Sequence, residues 1–167
     1  MSTPLPSVDT LIDQLAAQMR PHMTPDTVLV GIHTGGVWIA ERLKTLLGLP
    51  RPLASIDVSF HRDDHHLGSG LRAGGKASHL PDTTEGAHLV VVDDVLNTGR
   101  TLRAAMNEIF DYGRPAKIEL AVLADRGGRE LPVAATYCPQ QVSLPAGQVL
   151  KLARDNAGQL TFSLDEK

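Results

Sequence analysis

Cysteine is almost missing from this chain of 167 residues, where Cys138 stands alone. That excludes an internal disulfide and any zinc cluster built on cysteines, and a reducing, cytoplasmic setting is the expectation. No apolar run approaches membrane-spanning length. Met1-Ser2-Thr3-Pro4 lacks a basic-then-apolar signal pattern, so no membrane partner is expected. Charge of one sign is also lacking: the net charge of −3 does not announce a nucleic-acid binder, although a local basic face is compatible with it. No fixed-period repeat and no linker divides the chain, which reads as a single domain over residues 1–167 with enough length for a real core. Hydrophobic residues at 42% and charged residues at 21% are ordinary for a soluble globular protein.

What is present alternates strand and helix. Ser7 is positioned to cap a helix whose apolar stripe is Val8, Leu11, Ile12, Leu15, Ala16 and Met19, ended by Pro21. Thr27 to Ile32 is a continuous β-rich run, as in a strand covered on both faces. After Thr34-Gly35-Gly36 the periodicity predicts a helix from about Val37 to Leu47, with Val37, Ala40, Leu43 and Leu47 inward and Gly48 as its stop. Leu53 to Phe60 alternates, with Ala54, Ile56, Val58 and Phe60 on one face. His61 to Gly86 reads as a long glycine-rich loop, a length that in compact domains belongs to lids or disorder. Further strands are expected at Leu89 to Asp93 and Lys117 to Ala124. Between them lies a helix carrying Leu102, Ala105, Met106, Ile109 and Phe110 on one face, with short β-like pieces in the tail. This order describes an α/β fold with a mainly parallel twisted sheet flanked by helices. Such sheets bind ligands at the carboxyl ends of their strands. Three segments fall there: Thr34 to Gly36, Val95 to Thr101, and Asp125 to Arg129.

The most informative stretch is Val90-Val91-Val92-Asp93-Asp94-Val95-Leu96-Asn97-Thr98-Gly99-Arg100-Thr101. It reads as a buried strand stopped by two carboxylates, a turn of small residues, and a helix starting at about Thr101. Backbone N–H groups converge in such a turn, and the positive end of the helix faces it. Carboxylates that accept hydroxyls beside a phosphate cradle are what a sugar phosphate requires.

The segment Asp93 to Thr101 resembles the phosphoribosyl-pyrophosphate (PRPP) signature of type I phosphoribosyltransferases. The flanking Arg103-Ala104-Ala105-Met106, Gly113-Arg114-Pro115, Ile118 to Leu123, Asp125-Arg126-Gly127 and Arg129-Glu130-Leu131-Pro132 are similar to the PyrR family. Asp57 and Arg62-Asp63-Asp64 fit that family's middle region. The likeness runs from roughly Val28 to Pro132 and implies a type I phosphoribosyltransferase fold with a long flexible loop and a small hood. It also implies a reaction in which uracil and PRPP give UMP and pyrophosphate with Mg²⁺, together with nucleotide-dependent binding of pyrimidine leader mRNA. Asp93 and Asp94 would bind the ribose hydroxyls, directly or through the hydration shell of the metal. Asn97, Thr98, Gly99, Arg100 and Thr101 would hold the 5′-phosphate, with Val95 and Leu96 also in the substrate site, and Thr34, Gly35 and Gly36 would form the pyrophosphate loop. Arg62 joins Asp93 and Asp94 as the expected catalytic set, and the loop from Arg62, with Arg72 and Lys76, would close over the site. Asp125 and Arg126 would lie near the base. A homo-oligomer, in the simplest case a homodimer, is expected.

The sequence departs from the family pattern at three places. Thr34-Gly35-Gly36 stands where Thr-Arg-Gly is usual, so a guanidinium at the pyrophosphate loop is absent. Asn97 replaces an aromatic residue, and Gly128 replaces a histidine. Two alternatives follow: a UMP-sensing RNA-binding regulator with weak or no catalysis, and a phosphoribosyltransferase for another base. Blander readings also stand. Gly70 to Ala77 nearly spells a P-loop but lacks its Ser or Thr and meets Pro81 instead of a helix, so a lid is the better reading. His61, His65, His66, Asp63 and Asp64 read as a hydrated loop ahead of a metal site. Asp125-Arg126 reads equally as a local ion pair. Arg42, Lys44, Arg51 and Arg114 read singly as solvated charge, and Trp38 as a packing anchor.

Overall fold

The computed structural model describes residues 4–58 and 78–167. Phe60, the histidine-rich stretch, the Gly70 to Ala77 near-match and the residues Arg62, Arg72 and Lys76 lie outside the described residues.

Helix α1 (Val8–Met19) starts where Ser7 accepts a hydrogen bond from the Thr10 N–H at 3.1 Å, and its whole apolar stripe is buried. Each large side chain so buried contributes about 1.5–3 kcal/mol. Strand β1 (Val28–Ile32) is buried throughout. Helix α2 (Gly35–Leu47) begins two residues before the predicted start, and Gly48, at φ 65°, ends it in the left-handed conformation that glycine adopts at low cost. Its buried line is Gly36, Ile39, Ala40 and Leu43, whereas Val37 and Leu47, expected inward, are half-buried. The close approach at Gly36 sets that face, because a Cβ there would lie 2.2 Å from the Val92 carbonyl oxygen.

Strand β2 (Ala54–Ile56) is shorter than its alternation predicts, and Ser55 is buried as well as Ala54 and Ile56. The backbone of His79 pairs with Ser55 in both directions, at 3.0 and 2.8 Å, and covers that edge. Strand β3 (His88–Leu96) does not stop at its aspartates: Asp93, Val95 and Leu96 pair with Val122, Ala124 and Asp125 of β4 (Lys117–Asp125). Helix α3 (Arg100–Phe110) lies between them and buries Leu102, Ala104, Ala105 and Ile109. Phe110, expected on the same face, is 55% exposed, since it sits about 100° around the helix from Ile109.

Among the described residues, the sheet has the order β2-β1-β3-β4-β5, all parallel, where β5 is Gln140–Gln141. Val90, Val92, Ala121 and Leu123 face α1 and α2, while Leu89, Val91, Leu120 and Val122 face α3. Both faces are covered, which is why these strands read as continuous apolar runs. An antiparallel pair, β6 (Gln148–Arg154) and β7 (Leu160–Glu166), forms the small hood. Leu160 joins the α1–α2 core, with Leu152 and Phe162 packed against it. Toward the amino end of β3 and β4, His88 Nε2 and the Tyr137 hydroxyl bond the two carboxylate oxygens of buried Glu119 at 2.5 and 2.8 Å. No helix among the described residues is long and apolar enough to cross a membrane.

Candidate active site

The carboxyl end of β3 carries the two aspartates. Because β3 continues through them, their side chains point to opposite faces of the sheet, which corrects the expectation of two carboxylates beside one cradle. Asp93 lines a cleft on the α3 side, with residues 95–101 and with Ile32, Leu120 and Val122. Asp94 faces the start of α2, where its Oδ2 lies 2.9 Å from the position of a Cβ on Gly35. Local hydrogen bonds fix both carboxylates: Asp93 Oδ1 accepts from the Asp94 N–H at 2.9 Å, and Asp94 Oδ1 from the Val95 N–H at 2.7 Å.

Two helix N-termini converge on this strand end. Helix α3 starts at Arg100, one residue before the predicted start, behind Gly99 at φ 94°. A side chain at 99 would be strained there, and its Cβ would meet Val133 Cγ2 at 2.5 Å. The Thr98 hydroxyl accepts from the Arg100 N–H at 3.2 Å. Helix α2 starts at Gly35 with no side-chain cap, and the preceding His33–Thr34 peptide is cis. First-turn N–H groups lack acceptors within their helix and favour anions. The site thus holds an anion-receptive helix start on each side of the sheet, each with one aspartate beside it.

The segment after β4 straps the turn. The Arg126 N–H donates to Leu96 O at 2.9 Å, and the Glu130 and Leu131 N–H groups donate to Thr98 O at 2.9 and 3.2 Å. Asp125, expected as a partner of Arg126, instead pairs with Arg129 at 2.5 Å, four residues on. The hydrogen bond from Arg129 is the largest influence holding the Asp125 carboxyl below its usual range, against the opposing effect of burial. The Arg126 guanidinium donates to Gln148 O at 3.1 Å and so ties this segment to the hood. Arg100 pairs with Glu130 at 2.6 Å. Two of the departures from the family pattern meet here: a Cβ on Gly128 would lie 2.9 Å from Asn97 Oδ1.

Thr34 to Gly36, Asp93 to Thr101 and Asp125 to Arg129 therefore share one end of the sheet. Sequence reasoning places Arg129 in the third strand-end segment without giving it a role of its own, and it misses Leu152. The four-residue spacing from Asp125 to Arg129 is a readable signal, whereas Leu152, whose Cδ2 stands 3.3 Å from where a Cβ on Gly35 would lie, comes from more than a hundred residues away and has none. Trp38 packs against the core as read, and Arg154 of β6 covers its ring at 4.7 Å. Arg42 and Arg51 pair with Asp9 and Asp26 at 2.7 and 3.0 Å, which fits solvated, locally compensated charge.

A parallel α/β sheet with two aspartates and a small-residue turn at its centre is the arrangement of a phosphoribosyltransferase, and the phosphoribosyl transferase domain family matches residues 5–142. The purine phosphoribosyltransferase of Pyrococcus horikoshii is similar in structure, with a TM-score of 0.62 at 27% identity over 81% of this chain and 82% of that one. A hypoxanthine-guanine phosphoribosyltransferase of Bacillus anthracis shares the fold, with a TM-score of 0.63 at 18% identity over 85% and 82% of the two chains. In sequence, the bifunctional protein PyrR of Pseudomonas paraeruginosa is 45% identical over 98% of this chain and 95% of its own length. That of Ralstonia nicotianae is 45% identical over 95% and 94%. The chain belongs to the PyrR family of phosphoribosyltransferases.

Proposed function

We propose that this chain transfers a phosphoribosyl group from PRPP to uracil, giving UMP and pyrophosphate, and that it also regulates pyrimidine genes by nucleotide-dependent binding of leader mRNA. Support for the transfer comes foremost from one relationship, the two-sided strand end in which Asp93 and Asp94 each stand beside a different helix N-terminus. The α3 side, with residues 95–101, suits the 5′-phosphate. The α2 side, with Thr34, Gly35 and Gly36, suits the pyrophosphate, and the ribose spans the strand end between them. N1 of uracil bonds to C1′ as the bond from C1′ to the pyrophosphate oxygen breaks, and the N1 proton is lost. Positive charge grows at the ribose carbon in such a transfer, and carboxylates on either side stabilise it. Asp125 and Arg126 sit at the end of β4 on the side where the base would enter.

Mg²⁺ fits the donors present. Asp93 and Asp94 offer hard oxygens, and the described residues contain no group of three or more His, Cys, Asp or Glu able to cage an ion. Mg²⁺ keeps several waters and accepts one or two carboxylates plus substrate oxygens. When bound with PRPP it would supply charge neutralisation at the leaving pyrophosphate.

The test is pyrophosphate release from PRPP and Mg²⁺ with uracil, hypoxanthine, guanine or adenine in turn. Release with uracil alone is expected. Release with a purine and none with uracil contradicts the base assignment. For regulation, UMP is expected to raise the affinity for pyrimidine leader RNA, with a salt-dependent binding constant. Indifference to UMP contradicts that half of the proposal.

A further inference from the structure

The phosphate turn is oriented from behind. Three successive carbonyls, those of Leu96, Asn97 and Thr98, are all bound by the segment that follows β4. Backbone N–H groups hold two of them: Arg126 takes Leu96 O at 2.9 Å, and Glu130 and Leu131 take Thr98 O at 2.9 and 3.2 Å. The Asn97 carbonyl is bound by a side chain, that of Arg129, whose Nη1 donates to it at 2.8 Å. The same guanidinium reaches Asp125 Oδ2 at 2.5 Å through Nη2 and Val133 O at 3.0 Å through Nε. A trans peptide is planar, so a carbonyl and the following N–H point in opposite directions. Drawing the oxygens of 96, 97 and 98 to the strap turns the N–H groups of Asn97, Thr98 and Gly99 away from it, and these residues line the cleft that the strap does not line. Successive N–H groups facing one side make an anion-binding concavity.

We infer that Arg129 is a positioning residue for phosphate binding: it fixes the Asn97–Thr98 peptide so that the Thr98 N–H faces the 5′-phosphate. This rests on the assignment of the turn to that phosphate. The role is specific to arginine, because three acceptors, from β4, the turn and the Val133 region, are each met by a different nitrogen of one rigid fork. A lysine ammonium lacks that geometry. Backbone donors fix the flanking peptides whatever the side chains, so the middle peptide is the one that depends on residue identity.

Calorimetry on the full chain tests this with ribose 5-phosphate, UMP and uridine as probes, using wild type, Arg129→Met and Arg129→Lys. In Arg129→Met the affinities for ribose 5-phosphate and UMP are expected to fall about tenfold, as for loss of one oriented donor, while uridine affinity stays unchanged. Arg129→Lys is expected to recover less than half of that loss on a logarithmic scale. Added guanidinium ion is expected to restore UMP affinity in Arg129→Met. Equal UMP affinity in wild type and Arg129→Met overturns the inference, as does a parallel loss for uridine, which would make Arg129 a base contact. Should Arg129→Met fail to fold, wild-type UMP affinity in Arg129→Lys overturns it as well. Wild type that binds uridine as tightly as UMP, and binds no ribose 5-phosphate, instead overturns the assignment of the turn itself.

Discussion

Asp94 Oδ2 lies where a side chain on Gly35 would have to stand: a Cβ on Gly35 would lie 2.9 Å from that oxygen and 3.3 Å from Leu152 Cδ2 of the hood. The glycine that removes a guanidinium from the pyrophosphate loop is thus the residue that lets this carboxylate lie against the start of α2. Gly35→Ala is expected to displace Asp94 and lower kcat/KM about tenfold, with stability little changed, because the displaced atom is the end of a side chain. Gly35→Arg, which matches the usual family pattern, is expected to be no more active than wild type. Leu152→Ala in the same chain should recover part of the loss. Steady-state kinetics of wild type and the three variants checks this, and a gain of activity in Gly35→Arg alone contradicts it.

Gly36 behaves differently, because its neighbour is backbone. A Cβ there would lie 2.2 Å from the Val92 carbonyl oxygen and 3.2 Å from Asp93 Cα. Neither can swing aside, so α2 must lift from β3. Gly36→Ala is expected to cost about 1–3 kcal/mol or more, read as a lower denaturation midpoint together with weaker PRPP binding. An unchanged midpoint contradicts the packing described here.

Asn97 and Gly128 are expected to be coupled. Gly128 has φ 77°, and a side chain there would meet Asn97 Oδ1 at 2.9 Å. Gly128→His should therefore destabilise by about 1–3 kcal/mol from backbone strain and crowding, and Asn97→Ala should relieve only the crowding. Chemical denaturation of the two single variants and the double checks this. Strict additivity contradicts the contact.

Most of the fold was legible in the sequence, and the reason is local. The α1 stripe, the apolar runs of β1, β3 and β4, and the punctuation by Pro21, Gly48 and Gly99 are carried by short windows. The failures share a different cause. Two aspartates resemble a strand stop, whereas pairing of Val95 and Leu96 with Ala124 and Asp125 carries β3 on. That pairing also decides that the carboxylates face opposite ways, a fact invisible to residue type. Alternation places Ser55 on the face opposite Ala54 and Ile56, yet it is buried too, because the backbone of His79 reaches it from 24 residues away. Arg129 stood in plain view, but its acceptors at Asn97 and Val133 are set by the path of the strap.

The His88–Glu119–Tyr137 cluster predicts a pH response. Burial pushes the Glu119 carboxyl upward, but hydrogen bonds from His88 and Tyr137 and the nearby charge of Lys117 outweigh it, leaving it below its ordinary value of 4.5. A carboxyl depressed in the folded state stabilises the fold above its unfolded value, and that contribution is lost as pH falls through the folded value. Thermal stability is therefore expected to decline below about pH 4.5, with a shallower decline in Glu119→Gln. Tyr137→Phe, which removes one donor at 2.8 Å, should cost about 1–3 kcal/mol at neutral pH. Parallel acid limbs in wild type and Glu119→Gln contradict this account.

The central claim is that the two faces of one strand end serve one transfer, Asp93 on the α3 side and Asp94 on the α2 side. The direct measurement is the rate of UMP formation from uracil, PRPP and Mg²⁺ in wild type, Asp93→Asn, Asp94→Asn and the double variant, each shown to be folded. The account predicts UMP formation by wild type, a loss of about 10²-fold or more in each single variant, and none detectable in the double. UMP formation by the double variant at the wild-type rate would contradict it.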